Sequence, residues 1–268
     1  MDESKRKLLS ARISDLFSET ERGYVTFSAF LDPAELFFAK EYIKQIGASE
    51  RTFFFGGYKD AERQCAFFLP EYYVNLIENI NDAAEVQAVI GEELGSALKA
   101  LKICGSGYRK LSHRDYLGAI LNMGIERSAI GDICITDESS CVLFASPAVA
   151  DLIVSGCERI GSDKVKIETV PLSAGFTYER RTKEISDTVA SDRLDCVVAS
   201  LAGESREKAK ALILSGLVEC NYSPCTKTNL RIVNGDTVTI RGIGKFIVSD
   251  ITEETKKGRL RLSAKKYV

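Results

Sequence analysis

Apolar residues recur at three- and four-residue spacing near the start of the chain, at Leu8, Leu9, Ile13, Leu16 and Phe17, which predicts an opening helix. A second helix start is written in Asp32-Pro33-Ala34-Glu35. Asp32 can accept from the free N–H groups, Pro33 tolerates the first helical position, and Glu35 suits the positive end of the dipole. Leu36, Ile43 and Ile46 supply its apolar stripe and Gly47 its left-handed stop. Then Thr52–Phe55, a Gly56-Gly57 turn and Cys65–Leu69 predict two strands. Residues 1–78 thus form an N-terminal α+β domain.

From 79 to 176 the pattern predicts a βαββαβ middle domain. Strand material lies in Val86–Ile90 and Leu98–Cys104, and Ser112 caps a helix carrying Tyr116, Leu117, Ile120 and Leu121. Asp132–Thr136 and Cys141–Phe144 are short β-rich runs around a polar turn. Pro147 opens another helix and Val165–Val170 is the last strand. This is the ferredoxin-like order shared with RNA-recognition (RRM-like) domains. Yet Ser140-Cys141-Val142-Leu143-Phe144-Ala145 lacks the basic–Gly–aromatic–Gly run of their RNA-binding strand. The polar run Thr177–Asp187, with Arg180, Arg181 and Lys183, reads as a linker. Residues 183–268 then predict two short helices, one from Ser191 to Gly203 and one capped by Ser205 and ending before Gly216. Strand signals follow at Leu217–Asn221, Thr237–Ile240, Gly244–Val248 and Arg259–Leu262. The fold class is α+β, its last part a helix hairpin on a small antiparallel sheet.

Composition changes one thing. An apolar share of 45% and a charged share of 28% over 268 residues are ordinary globular values and exclude disorder, collagen and coiled coil. The formal net charge of −2 argues against a nucleic-acid partner only until it is divided. Residues 1–179 carry a net −8, whereas 180–268 hold 17 Lys+Arg against 11 Asp+Glu, a net of +6. A basic segment beside an acidic one points to a part that meets a polyanion. No apolar stretch is long enough to span a membrane and no signal peptide is visible at the start, so the expected location is cytoplasmic. The eight cysteines show no C-x-x-C pair and His113 is the sole histidine, so no metal site is expected and the thiols read as small buried hydrophobes. Nothing in the spacing implies a cofactor or a small-molecule substrate.

The residues Arg193-Leu194-Asp195, Ser205-Arg206-x-x-Ala209, Leu212-Ile213-x-x-Gly216-Leu217-Val218, Asn221 and Gly235-Asp236 resemble the S4 RNA-binding domain over roughly 186–240. That resemblance implies a hairpin presenting basic residues to structured RNA. Arg193 and Arg206 become the leading contacts, with Ser205, Lys208 and Lys210 on the same hairpin. Arginine suits phosphate because its planar fork makes paired, charge-assisted hydrogen bonds. Lys227 and Arg231 add phosphate contacts, as do Arg241, Lys245 and the tail around Lys256-Lys257-Gly258-Arg259. The alternative for Arg193 is to pair with a neighbouring carboxylate and tie the helices together.

Two upstream stretches widen the resemblance. They are Phe55-Gly56-Gly57-Tyr58-x-Asp60-Ala61-Glu62-Arg63 and Tyr108–Ala119 (Tyr-Arg-Lys-Leu-Ser-His-Arg-Asp-Tyr-Leu-Gly-Ala), continued by Met123–Arg127 and Ile130–Ile133. With the C-terminal part they resemble the bacterial YlmH family across nearly the whole chain. The resemblance implies a non-catalytic partner of rRNA and tRNA. It would act on large ribosomal subunits carrying peptidyl-tRNA, in ribosome-associated quality control. Arg109, Lys110 and Arg114 offer a second basic patch.

Enzyme readings lack their parts. His113-Arg114-Asp115 has Ile120 where a kinase catalytic loop needs Asn, and Gly105-x-Gly107 lacks a third glycine. Arg193-Leu194-Asp195 is similar to the catalytic loop of pseudouridine synthases, which often carry an S4 domain, but an apolar helix continues after it. An RNA-modifying enzyme of that kind is the alternative reading, and Asp195 is expected to be a cap or salt-bridge partner.

Overall fold

The computed structural model describes residues 1–73, 83–172, 176–179, 182–252 and 258–267, with side chains omitted at 83–89. Arg180, Arg181, Lys256 and Lys257 lie outside the described residues. The chain divides into two compact units, Met1–Tyr178 and Glu179–Val268.

The first unit opens with helix α1 (Glu3–Thr20), capped by Asp2, and strand β1 (Thr26–Phe27). Helix α2 (Pro33–Gln45) begins in a reciprocal cap. The Glu35 N–H donates to Asp32 Oδ1 at 2.8 Å, and the Asp32 N–H donates to Glu35 Oε2 at 2.7 Å. Strands β2 (Thr52–Phe55) and β3 (Cys65–Phe68) pair antiparallel, giving a sheet in the order β1-β3-β2. Both faces of β3 are buried. Ala66 and Phe68 pack against Ile13, Ala39 and Ile43 of the helices, while Cys65 and Phe67 turn the other way.

Residues 86–90, expected as a strand, lie instead in helix α3 (Ala83–Ala97), which breaks at Ile90 (φ −132°, ψ 37°). The run Ala-Ala-Glu-Val-Gln-Ala is rich in strong helix formers, and its propensity prevails over two valines. The βαββαβ run starts one element later. It comprises β4 (Lys99–Gly105), α4 (His113–Leu121), β5 (Ile130–Ile135), β6 (Ser140–Ala145), α5 (Pro147–Gly156) and β8 (Asp163–Val170), with a two-residue β7 (Arg159–Ile160) inserted before β8. These strands form an antiparallel sheet in the order β5-β6-β4-β8-β7.

Alternation assigns the two faces of that sheet. Leu101, Ile103, Cys141 and Leu143 point to the helices and meet Tyr116, Ile120, Ala150 and Ile153. Ala100, Cys134, Val142 and Phe144 point away and are covered by Phe30, Phe55, Tyr58, Phe67, Leu69 and Leu94. The N-terminal elements therefore share one hydrophobic cluster with the βαββαβ sheet and seal part of its outer face.

A polar lock fixes this contact. The buried Asp132 carboxylate accepts from the Tyr58 hydroxyl (2.7 Å), the Glu62 N–H (2.7 Å) and the Arg63 N–H (3.2 Å). Arg63 donates from Nε to the Ile130 carbonyl at 2.9 Å and from Nη2 to those of Phe30 and Arg127. Gly57 sits at φ +104°, and a Cβ there would lie 2.1 Å from Phe144 Cδ1. The stretch from Phe55 to Arg63 is thereby given a structural task.

In the second unit the polar run read as a linker is largely strand β9 (Thr182–Val189). It pairs with β14 (Leu260–Tyr267) from Thr182↔Tyr267 to Val189↔Leu260. Its alternation was masked by charge. Val189 is buried and Ile185 packs on the core, while Lys183, Glu184, Ser186 and Asp187 face water, as suits an edge strand. Helices α6 (Leu194–Ala202) and α7 (Arg206–Leu214) form the hairpin. Strands β10 (Val218–Cys220), β11 (Ser223–Pro224), β12 (Thr237–Ile240) and β13 (Gly244–Asp250) complete the sheet, in the order β11-β10-β12-β13-β14-β9. Its core joins Leu194, Val197, Val198 and Leu201 of α6 and Ala209 and Ile213 of α7 to Val238, Ile240, Phe246 and Leu262 of the sheet.

Candidate nucleic-acid interface

No side chain caps the start of α6. Its free N–H groups are satisfied by a loop from further along the chain. Leu194 N donates to the Leu230 carbonyl at 2.8 Å and Asp195 N to the Thr228 carbonyl at 3.0 Å. Arg193 and Arg231 form an isolated antiparallel bridge. This pairing brings Lys227 and Arg231 beside the beginning of the hairpin. At the other end of α6, Gly203 takes the left-handed conformation (φ 66°) that turns the chain. Ser205 then caps α7, its hydroxyl accepting from the Lys208 N–H.

The turn between the helices sets two arginines on one carboxylate. Asp195 has a fully buried side chain. Arg193 donates from Nε to Oδ1 at 3.1 Å and from Nη2 to Oδ2 at 3.3 Å, and Arg206 donates from Nε to Oδ2 at 2.9 Å. Burial alone would push the Asp195 carboxyl up. The hydrogen bonds and charges of Arg206 and Arg193 outweigh that and hold it below its ordinary value. The guanidinium groups themselves stay open to water, with side chains 41% and 48% exposed. Among the described residues, no protein group engages the two Nη atoms of Arg206. Two fixed cations with donors to spare are what a phosphate contact requires. At Arg193 the carboxylate pairing expected as the alternative is present, with Nε and Nη2 both turned onto Asp195.

The other expected residues divide. Ser205 caps α7. Lys208 pairs with Glu204 at 2.9 Å, and Lys210 is exposed one turn beyond Arg206, on the same face. Lys227 is exposed, and Arg231 is largely exposed while reaching Asp192 at 3.4 Å. Asn221 and Asp236 hold the scaffold. Asn221 adopts φ 47°, donates from Nδ2 to Asp236 Oδ1 at 2.8 Å, and accepts from the Thr237 N–H at 2.9 Å. Lys245 lies over the rings of Tyr222 and Tyr267.

Beside Arg206 opens a cleft of about 390 Å³, lined by Asp187, Ser200, Glu204, Cys196 and Arg259 among others. Arg259, read from the sequence only as part of a basic tail, here donates to the Thr188 carbonyl at the cleft wall. Its placement depends on the β9–β14 pairing, which the linker reading hid. Asp195 exposes no side-chain surface to the cleft. Among the described residues, no group of three or more His, Cys, Asp or Glu side chains is placed to hold a metal, and no helix is long and apolar enough to cross a membrane.

The second patch lies in the first unit. Ser112 and Asp115 cap α4 reciprocally, and Asp115 also takes Arg109 at 3.2 Å. Lys110 reaches Glu138 at 3.5 Å, and Arg114 is exposed. These cations therefore stand in the loop that leads from β4 into α4 and in that helix's first turn.

Residues 98–174 match the family described as "Putative RNA-binding domain in YlmH". Over 244 residues the chain is 30% identical to the "Ribosome-associated protein quality control protein P2" of Bacillus subtilis (strain 168), covering 91% of this chain and 88% of the relative. A solved structure, "Cell division protein ylmH from Streptococcus pneumoniae", aligns with 17% identity and a TM-score of 0.47 over 66% of this chain and 98% of that one.

Proposed function

Because the chain belongs to the YlmH family, we propose that it is an RNA-binding adaptor of ribosome-associated quality control. The Asp195-fixed pair Arg193 and Arg206 carries this reading. In it, residues 183–268 act as an S4 domain gripping structured rRNA or tRNA on the large subunit, with peptidyl-tRNA still bound. Lys210, Lys227 and Arg231 extend the grip along phosphates, and residues 79–176 form an RRM-like module. The site of action is the cytoplasm, and no catalytic step is assigned.

The test uses Arg193→Gln plus Arg206→Gln. Alanine at both sites would strand the buried Asp195 carboxylate, whereas glutamine keeps an amide donor and removes the charge. Binding of purified large-subunit RNA should fall at least tenfold at a temperature where circular dichroism shows both proteins folded, because removing both cations from the buried Asp195 carboxylate also lowers the melt. Wild-type affinity in the double variant would refute the assignment. A pseudouridine-synthase activity would instead change the nucleoside profile of incubated RNA, read by mass spectrometry.

A further inference from the structure

The segment between β4 and α4 is short and well anchored. Gly105 N donates to the Ser139 carbonyl at 2.7 Å. The Ser106 hydroxyl and N–H both donate to the Asp163 carboxylate, which is buried. Ser106 Oγ also accepts from the Tyr108 N–H at 3.3 Å. Leu111 closes the loop as a buried residue whose N–H donates to the Glu138 carbonyl at 2.8 Å. Gly107 takes φ +82°, the left-handed turn that aims the next residue outward.

That next residue is Tyr108, and its side chain has no place in the fold. It is 94% exposed, the most exposed large hydrophobic residue among the described residues. Among the described residues no ring packs on it and no group bonds its hydroxyl. A rigid loop that spends its anchors on presenting a bare aromatic ring is built for a planar partner. Arg109 and Lys110 follow it directly in the chain, paired with Asp115 and Glu138, and Arg114 stands exposed in the first turn of α4.

The sheet beside the loop excludes the usual alternative. RNA-recognition sheets stack bases on aromatics of their central strands. Here the corresponding face is sealed at Ala100, Val142 and Phe144 by the N-terminal elements. Its remaining half, toward the loop, carries Lys102, Cys104, Lys166 and Glu168 in register and no aromatic residue. Base stacking in this module has to occur at the rim.

We propose that Tyr108 is a stacking platform for an unpaired RNA base, with Arg109, Lys110 and Arg114 holding the flanking phosphates and Lys102 and Lys166 extending the track. This deepens the RNA-binding reading and rests on it, but places a contact on the first unit, separate from the helix hairpin.

Full-length protein is titrated with two labelled RNAs, a stem-loop with a seven-nucleotide unpaired loop and a blunt duplex of the same stem. Tyr108→Ala should weaken stem-loop binding roughly five- to hundredfold, the range expected for a lost base–aromatic stack. It should leave the duplex affinity and the melting temperature unchanged, and Tyr108→Phe should restore stem-loop binding. Ultraviolet crosslinking of the stem-loop should yield a nucleotide adduct on the peptide containing Tyr108. Wild-type affinity in Tyr108→Ala, or an equal loss on both RNAs, overturns the proposal. If the hairpin glutamine pair still loses binding in the same assay, the function proposed above stands while the Tyr108 contact falls. If instead only Tyr108→Ala loses binding, the hairpin reading fails and the loop contact remains. A Tyr108 surface used by a protein would show as unaltered binding to both RNAs.

Discussion

At the scale of single residues, Asp195 links stability to the proposed binding surface. Its carboxyl is held below its ordinary value in the fold, so the unfolded chain takes up the proton first as pH falls. The stability this group contributes is complete above its unfolded value, near pH 4, and is lost as pH drops through the lower folded value. Asp195→Asn should cost about 1–2 kcal/mol at pH 7, a range reduced because water screens the half-exposed arginines. Urea melts of both proteins should show the gap shrinking toward pH 3. A gap that is constant with pH would mean the carboxylate charge contributes nothing. Expectation and structure agree that Asp195 is a salt-bridge partner, since an acid set among apolar helix positions needs cations. The exposure of Tyr108 was not legible, because nothing local distinguishes an aromatic with a tertiary partner from one without.

Elements were legible where a short pattern has one physical solution. Asp32 and Ser112 read as helix starts because an oxygen acceptor there meets otherwise orphaned N–H groups. Residues 86–90 and the part of the supposed linker 177–187 that lies in β9 were misread for opposite reasons. The first is apolar enough for either state, and its helix former content decided it. The second has a strand's alternation carried by few apolar residues, Ile185 and Val189, so its polarity concealed the period. Loss of that strand's inner face should be costly: Val189→Asp, placing a charge at a position 3% exposed, should destabilise the protein by more than about 3 kcal/mol in denaturant melts. A loss under 1 kcal/mol would show that β9 is dispensable. Gly57→Ala tests the polar lock in the same way. The strained φ and the overlap with Phe144 should cost at least about 2 kcal/mol, whereas a wild-type melt would mean the turn relaxes freely.

For the whole molecule, the charge split matters more than the total. An affinity carried by the basic C-terminal part should fall linearly on a log–log salt plot, with a slope of about −0.7 to −0.9 per phosphate neutralised. A flat response would remove phosphate from the contact. The thiols are a check on the packing of both units. Six of the eight cysteines are buried, and burial pushes Cys65 and Cys220 up to about 12. An aromatic disulfide reagent at pH 8 should label Cys104 and Cys225 first, and rapid labelling of all eight would contradict the packing.

The buried carboxylate beneath Arg193 and Arg206 has a thermodynamic consequence. A free surface arginine must surrender rotamer freedom when it grips a ligand, about 0.5–1.5 kcal/mol for each immobilised side chain. Here most of that freedom is surrendered during folding. In the proposed RNA contact the two guanidinium groups should therefore carry a small entropic penalty, and calorimetry on the Asp195→Asn protein should show the penalty return.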